Sequence, residues 1–154
     1  MSGVEDRFWA RVDKSGECWL WTGASTGRDL RYGSFTLNGR QHIAHRVSYE
    51  LSKGRIPEGL VIDHLCHVYK CVRPDHLQAV TQKQNLENLA GAKRTSKSGV
   101  RGVSWHRNKW RVCVQHDRHS YHGGVFADIK DAEAAAIALR NNLFSNNLQD
   151  RSAV

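Results

Sequence analysis

Two cysteines and a histidine constrain this chain more than any other feature. Cys66 and Cys71 are separated by four residues, and His76 follows five positions later. Thiolate and imidazole side chains in such spacing are the donors a structural zinc ion takes, in a closed tetrahedron of four protein ligands. Three donors are local, so a fourth must come from elsewhere. Cys18 is the natural candidate, because the remaining cysteine, Cys113, lies in a strand-like apolar context downstream. A thiol there acts as a small buried side chain. His67 is a rival donor, but beside Cys66 in an extended loop it would point elsewhere. A structural zinc contributes roughly 10–16 kcal/mol at neutral pH. A typical domain's whole net stability is about 5–15 kcal/mol.

The composition suits a small domain that needs such a staple. The chain has 154 residues, enough for one ordinary domain or two small ones. Hydrophobic residues make up 40% and the mean hydropathy is −0.59, so core material is modest. Small domains of this kind often rely on a metal or a disulfide. No apolar run approaches the roughly 20 residues of a membrane span. The segment Met-Ser-Gly-Val-Glu-Asp at the start is acidic and lacks an apolar signal core, so the expected location is cytoplasmic. In a reducing compartment, cysteines default to metal binding rather than disulfides. The net charge is +8, with an isoelectric point near 9.6. A positive surface attracts polyanions, nucleic acid ahead of anionic membranes.

Local patterns place these residues on elements. Residues 4–12 read as a short amphipathic helix and residues 18–22 as a strand with Trp19 and Trp21 on one face. Residues 32–37 read as a strand, and Asn38-Gly39 is a two-residue hairpin signal that starts a partner strand near Arg40. Residues 45–53 read as a helix stopped by Gly54. Leu60-Val61-Ile62 is a short strand running into Asp63-His64, and residues 77–80 form a second. Thr81 with Gln84 matches a capping box, so a helix starts there and carries Asn85. Residues 91–98 are basic and apolar-poor, a linker. Beyond them, residues 100–105, 110–115 and 120–126 read as three strands. Asp128 caps a final helix with Ile129, Ala132, Ala136, Leu139 and Leu143 on one face.

A strand ending in His64 and a helix opening with Asn85 bring two chemical groups toward one point. Phosphodiester hydrolysis needs a base for water, and neutral histidine suits that role. It also needs a divalent cation and hard oxygen ligands to hold it. His64 fits the base, and Asn85 and Asp63 fit the ligands. Asp63 is the weaker of the two, since adjacent strand residues point to opposite faces. At this point the residues carry a resemblance. His64-Leu65-Cys66, Cys71, His76-Leu77 and Asn85 resemble the HNH, or His-Me finger, nucleases, closest to the zinc-bearing branch with the His-Cys box homing endonucleases. Cys18-Trp19, Ala44-His45-Arg46 and Pro74-Asp75-His76-Leu77 look like the phage-type pattern. The resemblance implies a ββα-metal fold, a purely structural Zn²⁺ held by Cys18, Cys66, Cys71 and His76, and one catalytic Mg²⁺, with Mn²⁺ as a substitute. It also implies a hairpin cation on the scissile phosphate, for which Arg40, His42 and Arg46 are candidates.

The C-terminal part resembles the APETALA2-like DNA-binding domain, on Val100-Arg101-Gly102-Val103, Lys109-Trp110-Arg111-Val112, Gly124-Val125-Phe126 and an Ala-rich helix. The resemblance implies a three-stranded antiparallel sheet in the major groove with a helix behind it. Trp110, Val112 and Val114 would face the helix and leave Arg111, Cys113 and Gln115 toward DNA. Contact candidates are Arg101, Trp105, Arg107, Lys109 and Arg111. Ser104 and Gly123 depart from the plant pattern, which has arginine and a core leucine there.

The expected fold class is α+β, a zinc-stapled ββα-metal nuclease domain over residues 1–90. A linker at 91–98, an APETALA2-like domain at 99–147 and a tail at 148–154 follow. The expected function is metal-dependent cleavage of double-stranded DNA, of homing or phage type, acting in a host cell. A palindromic target would need a homodimer or two encounters. The alternative is an inactive zinc-containing DNA-binding regulator.

Overall fold

The computed structural model describes residues 2–151 and divides into two compact units after Asn85. The fold is mixed α+β throughout.

The first unit opens with α1 (Ser2–Trp9), followed by the antiparallel pair β1 (Val12–Asp13) and β2 (Leu20–Trp21). The helix expected over 4–12 stops early because Val12 pairs with Trp21 instead. A three-stranded antiparallel sheet comes next, in the order β3 (Ser25–Thr26), β4 (Tyr32–Leu37), β5 (Arg40–Ile43). Its β4–β5 hairpin turns at Asn38 and Gly39, with φ of 50° and 74°. Positive φ at both central positions is what the two-residue turn demands and why Asn-Gly is favoured there. α2 (Ala44–Lys53) ends at Gly54, whose φ of 87° lets its N–H return to the Glu50 carbonyl. β6 (Val61–His64) and β7 (Leu77–Val80) form an antiparallel pair that brackets the cysteine loop, and α3 (Gln82–Glu87) begins here and runs across the unit boundary. Its cap is the expected one: Thr81 Oγ1 accepts from Gln84 N, and Thr81 N donates to Gln84 Oε1.

Six buried residues from every part of this unit form its core: Phe8, Trp21, Phe35, Ala44, Val47 and Val72. Phe8 meets the Trp21 ring at 5.0 Å and the Phe35 ring at 5.2 Å. A second cluster, Ile56, Ile62 and Leu77, lies under β6 and β7. Gly33 in β4 leaves room for this packing. A Cβ there would stand 2.4 Å from Trp21 Cδ1 and 2.9 Å from Ala44 Cβ.

The second unit is a separate three-stranded antiparallel sheet backed by a helix. Its strands are β8 (Val103–His106), β9 (Lys109–His116) and β10 (His119–Phe126), with β9 central. α4 (Ile129–Leu143) packs Ala132 and Ala136 on Val103 and Val112. Asp128 Oδ1 caps it by accepting from Lys130 N. Gly123 is explained by space, because a Cβ would lie 2.6 Å from Val112 Cγ1. The expected tail carries α5 (Leu148–Arg151), where Asp150 pairs with buried Arg140 at 2.6 Å. Residues 152–154 of that tail lie outside the described residues. Among the described residues no helix is long and apolar enough to cross a membrane.

Gly33→Ala tests the packing of the first unit. A forced methyl in a filled core costs about 1–3 kcal/mol, so the urea midpoint of this variant should fall. An unchanged midpoint would show the Trp21–Ala44 contact to be looser than the distances imply.

Candidate functional site: a Cys3His centre beside a buried histidine

Backbone pairing brings Cys18 to the cysteine loop. Trp21 N donates to the Lys70 carbonyl at 2.9 Å, and Val72 N donates to the Trp19 carbonyl at 2.8 Å, with Leu20 and Cys71 forming an antiparallel bridge. This is why the strand expected over 18–22 is cut to Leu20–Trp21. Trp19, just before it, pairs with the loop through its carbonyl rather than with β1. Lys14 Nζ sits over the rings of Trp9 and Trp19 at 4.7 Å and 4.4 Å, which fixes the approach to Cys18.

The four expected zinc donors converge. Cys18, Cys66 and Cys71 Sγ and one His76 ring nitrogen all lie within 4.8 Å of one another. His76 Nδ1 is 3.6 Å from both Cys18 Sγ and Cys71 Sγ. A tetrahedral zinc with Zn–S of about 2.3 Å and Zn–N of about 2.0–2.1 Å sets ligand atoms roughly 3.5–3.8 Å apart. Without an ion the thiols resist ionisation. Burial and the neighbouring Cys66 and Cys71 push Cys18 up to about 12. Burial chiefly raises Cys71 as well. A divalent cation reverses that balance, since a coordinated thiol is deprotonated. Donor types, spacing and electrostatics therefore all fit a structural zinc. Among the described residues this is the only group of three or more His, Cys, Asp or Glu side chains so arranged.

His64 ends β6 against the same loop. Its Nε2 lies 3.1 Å from the Cys71 carbonyl. A carbonyl only accepts, so Nε2 carries the proton and Nδ1 is left as the basic atom. Burial lowers the His64 pKa, opposed by the Cys71 hydrogen bond and by Asp63. The ring is thus a neutral imidazole in a defined tautomer. Asp63, the neighbouring residue, is also buried, and one of its oxygens accepts from Gln78 Nε2 at 3.1 Å across the β6–β7 pair. Asn85 lies half-buried in α3, and its N–H returns to the Thr81 carbonyl.

Of the hairpin cations, Arg40 and His42 are exposed on β5, while Arg46 is half-buried in α2 and its charge acts on His45. His67 turns with φ of 54° after donating its N–H to the His64 carbonyl. Sequence reasoning gave no role to His45. It is 7% exposed, its ring meets His64 at 4.6 Å, and its Nδ1 has no hydrogen-bond partner. The signal was the helical period: His45 and Ser48 are polar yet share the buried stripe with Ala44 and Val47.

In the second unit, Lys109 and Arg111 share one sheet face, and Arg107 sits in the β8–β9 turn with φ of 47°. Two expected contacts do not join them. Trp105 pairs with Trp110, ring centroids 4.7 Å apart, so it lies on the opposite face. Arg101 donates to the Leu86 and Glu87 carbonyls at 2.8 Å and 2.7 Å, which commits its guanidinium within the unit.

Comparison with known proteins follows this geometry. Residues 42–94 match the family described as HNH endonuclease, a stretch that holds His64, Cys66, Cys71, His76 and Asn85. The chain is 33% identical over 81 residues to Protein 7.7 of Escherichia phage T7, covering 53% of this chain and 61% of that protein. It is 29% identical over 87 residues to Protein 2.8 of the same phage, covering 56% and 58%. It is 34% identical over 55 residues to the uncharacterized gene 5.3 protein of Enterobacteria phage T3, covering 35% and 54%. The chain thus spans 54% to 61% of the length of these phage proteins. No solved structure matches it.

Two outcomes follow from this site. Removing the metal with a strong chelator, or replacing Cys71 with Ser, should unfold the first unit, given the roughly 10–16 kcal/mol a structural zinc supplies. Zinc content by mass spectrometry and thermal unfolding read this together, and a chelated chain with unchanged unfolding would defeat the assignment. The second outcome concerns acid. Burial, then His64 and Arg46, lower His45 from 6.5 to about 3. A depressed pKa means the unfolded state binds more protons between those values, so stability is present above 6.5 and lost as pH falls toward 3. The urea midpoint should fall over that window, and His45→Phe should flatten the slope. An equal slope in both proteins would mean His45 is not held neutral.

Proposed function

We propose that this chain is a metal-dependent DNA endonuclease of the HNH type. The observation that carries the reading is His64, a buried neutral imidazole whose Nε2 is tied to the Cys71 carbonyl and whose Nδ1 is left to accept. The match of residues 42–94 to HNH endonucleases supports it. His64 Nδ1 takes the proton from the water that attacks the phosphorus. Asn85, with Asp63 as second donor, offers hard oxygen for a divalent cation, Mg²⁺ or Mn²⁺. Such a cation, when bound, supplies charge for the phosphorane and the leaving oxygen. Arg46, Arg40 and His42 are the candidate cations to grip the scissile phosphate. Cys18, Cys66, Cys71 and His76 hold zinc as a staple without taking part in bond breaking.

The second unit serves in this reading as an APETALA2-like platform for the duplex. Lys109, Arg111 and Arg107 are the proposed contacts, with arginine able to read guanine or phosphate and lysine mainly positioning. Lys109 and the half-buried Arg111 share one face of the sheet, which supports this.

A positioned general base contributes about 10²–10⁴ in rate. His64→Ala should therefore lose that much plasmid cleavage in Mg²⁺ while its DNA affinity by gel shift is kept. A wild-type chain that binds DNA and never cuts it would make the protein a zinc-containing DNA-binding regulator instead.

A further inference from the structure

The buried side of His64 is enclosed by other rings in a closed circuit. His45 meets His64 at 4.6 Å with the planes at 76°. His64 faces Tyr69 at 6.5 Å and 75°. Tyr69 meets Tyr32 at 5.6 Å and 79°. Tyr32 returns to His45 at 5.5 Å and 60°. Every contact is steeply inclined, the arrangement in which a positive ring edge meets a negative ring face. The four rings come from β4, α2, the end of β6 and the loop after it, so the circuit forms only when the unit is complete. Outside it, the Arg31 guanidinium lies 5.5 Å from the Tyr69 ring centre.

His45 is the informative member. A buried polar atom without a partner is unfavourable, and His45 Nδ1 is such an atom. The ring thus contributes position rather than a hydrogen bond. Its pKa of about 3 keeps it uncharged beside His64. On the other side, His64 has one hydrogen bond to a rigid group, the Cys71 carbonyl. A single bond leaves the ring free to rotate about it, and packing on the flanks removes that freedom.

We propose that His45 is a positioning residue which, with Tyr32 and Tyr69, fixes the plane of the His64 ring so that Nε2 meets the Cys71 carbonyl and Nδ1 remains the accepting atom. Its catalytic consequence rests on the endonuclease reading. The orientation of His64 does not, and it can be measured alone.

The experiment uses the full chain, purified with zinc and labelled with ¹⁵N on histidine. Long-range ¹⁵N–¹H correlation spectra report the tautomer of each ring. The wild-type protein should show His64 in one tautomer, protonated on Nε2. His45→Ala should give a mixture of tautomers. Its kcat for cleavage should fall roughly tenfold to a hundredfold with KM within about threefold, as for other misplaced groups. His45→Phe restores a ring and should recover the single tautomer and most of the lost kcat. Where His45→Ala does not fold, Tyr69→Ala decides, because Tyr69 is 46% exposed and its removal opens the same circuit. A folded His45→Ala or Tyr69→Ala protein that keeps the single His64 tautomer overturns the proposal. So does a His45→Phe protein with the tautomer intact and cleavage lost, which would place Nδ1 in the reaction itself. Absence of cleavage by the wild-type chain would remove the endonuclease reading and leave the tautomer measurement to judge the orientation.

Discussion

Cys71 acts in two directions at once, and much of the first unit depends on it. Its Sγ belongs to the Cys3His cluster, while its carbonyl accepts from His64 Nε2. Its neighbours extend the reach. Val72 is a core residue whose carbonyl accepts from Ser48 in α2, and the Lys70 carbonyl accepts from Trp21. A loop of this kind has little apolar surface with which to hold itself, so its geometry must come from elsewhere. The converging Cys3His donors, with a metal bound, would supply it from one side, and backbone pairing with residues 19–21 supplies it from the other. The hydrogen bond that sets the tautomer of His64 is then only as well defined as the cluster one covalent residue away.

That dependence explains what could be read directly from the chain. The four donors were legible because coordination chemistry restricts both residue type and spacing, and elimination among four cysteines pointed to Cys18 although it lies 58 positions from His76. The Asn38-Gly39 turn and the Thr81 cap were legible because each is a local matter of φ or of one side chain reaching its own backbone. The pairing of residues 19–21 with the loop was not, since nothing in a short apolar stretch names its distant partner. His45 was missed for a related reason. A histidine in the first turn of a helix reads as a surface residue until the partners of Ala44, Val47 and Ser48 are known, and those partners are tertiary.

Charge in the second unit shows the same limit from another angle. Arg101 was a DNA-contact candidate in the sequence and Arg140 contributes to its net charge, yet both are taken up inside the unit. Arg140 is 4% exposed, bonded to Asp150 and to the Arg101 carbonyl, and Glu87 is 4% exposed while accepting from Ser145 and Asn146. A buried charge without such partners would be prohibitive. The pairs cancel, so the net positive charge of the chain still resides on other, exposed side chains. Composition therefore gave the net sign of the charge but not which basic residues stay on the surface. Strand register did the sorting, because a two-residue period puts Lys109 and Arg111 on one face and Trp110 with Trp105 on the other.

The electrostatics of the first unit then bear on the proposed reaction as a whole. With a divalent ion bound, three thiolates would give the Cys3His site net negative charge, close to the proposed base His64. The anionic site favours a proton on His64, which helps the ring take one from water, but it also repels the substrate. The second effect has to be offset by cations that do not raise the charge at His64 itself. Arg46, whose charge is felt at His45, and Arg31, against the Tyr69 ring, are the positive groups beside the ring circuit. In the proposed reaction, such cations would face the phosphate while burial keeps the His64 pKa lowered. On this view the buried, uncharged state of His45 is as much a requirement of the site as the position of its ring.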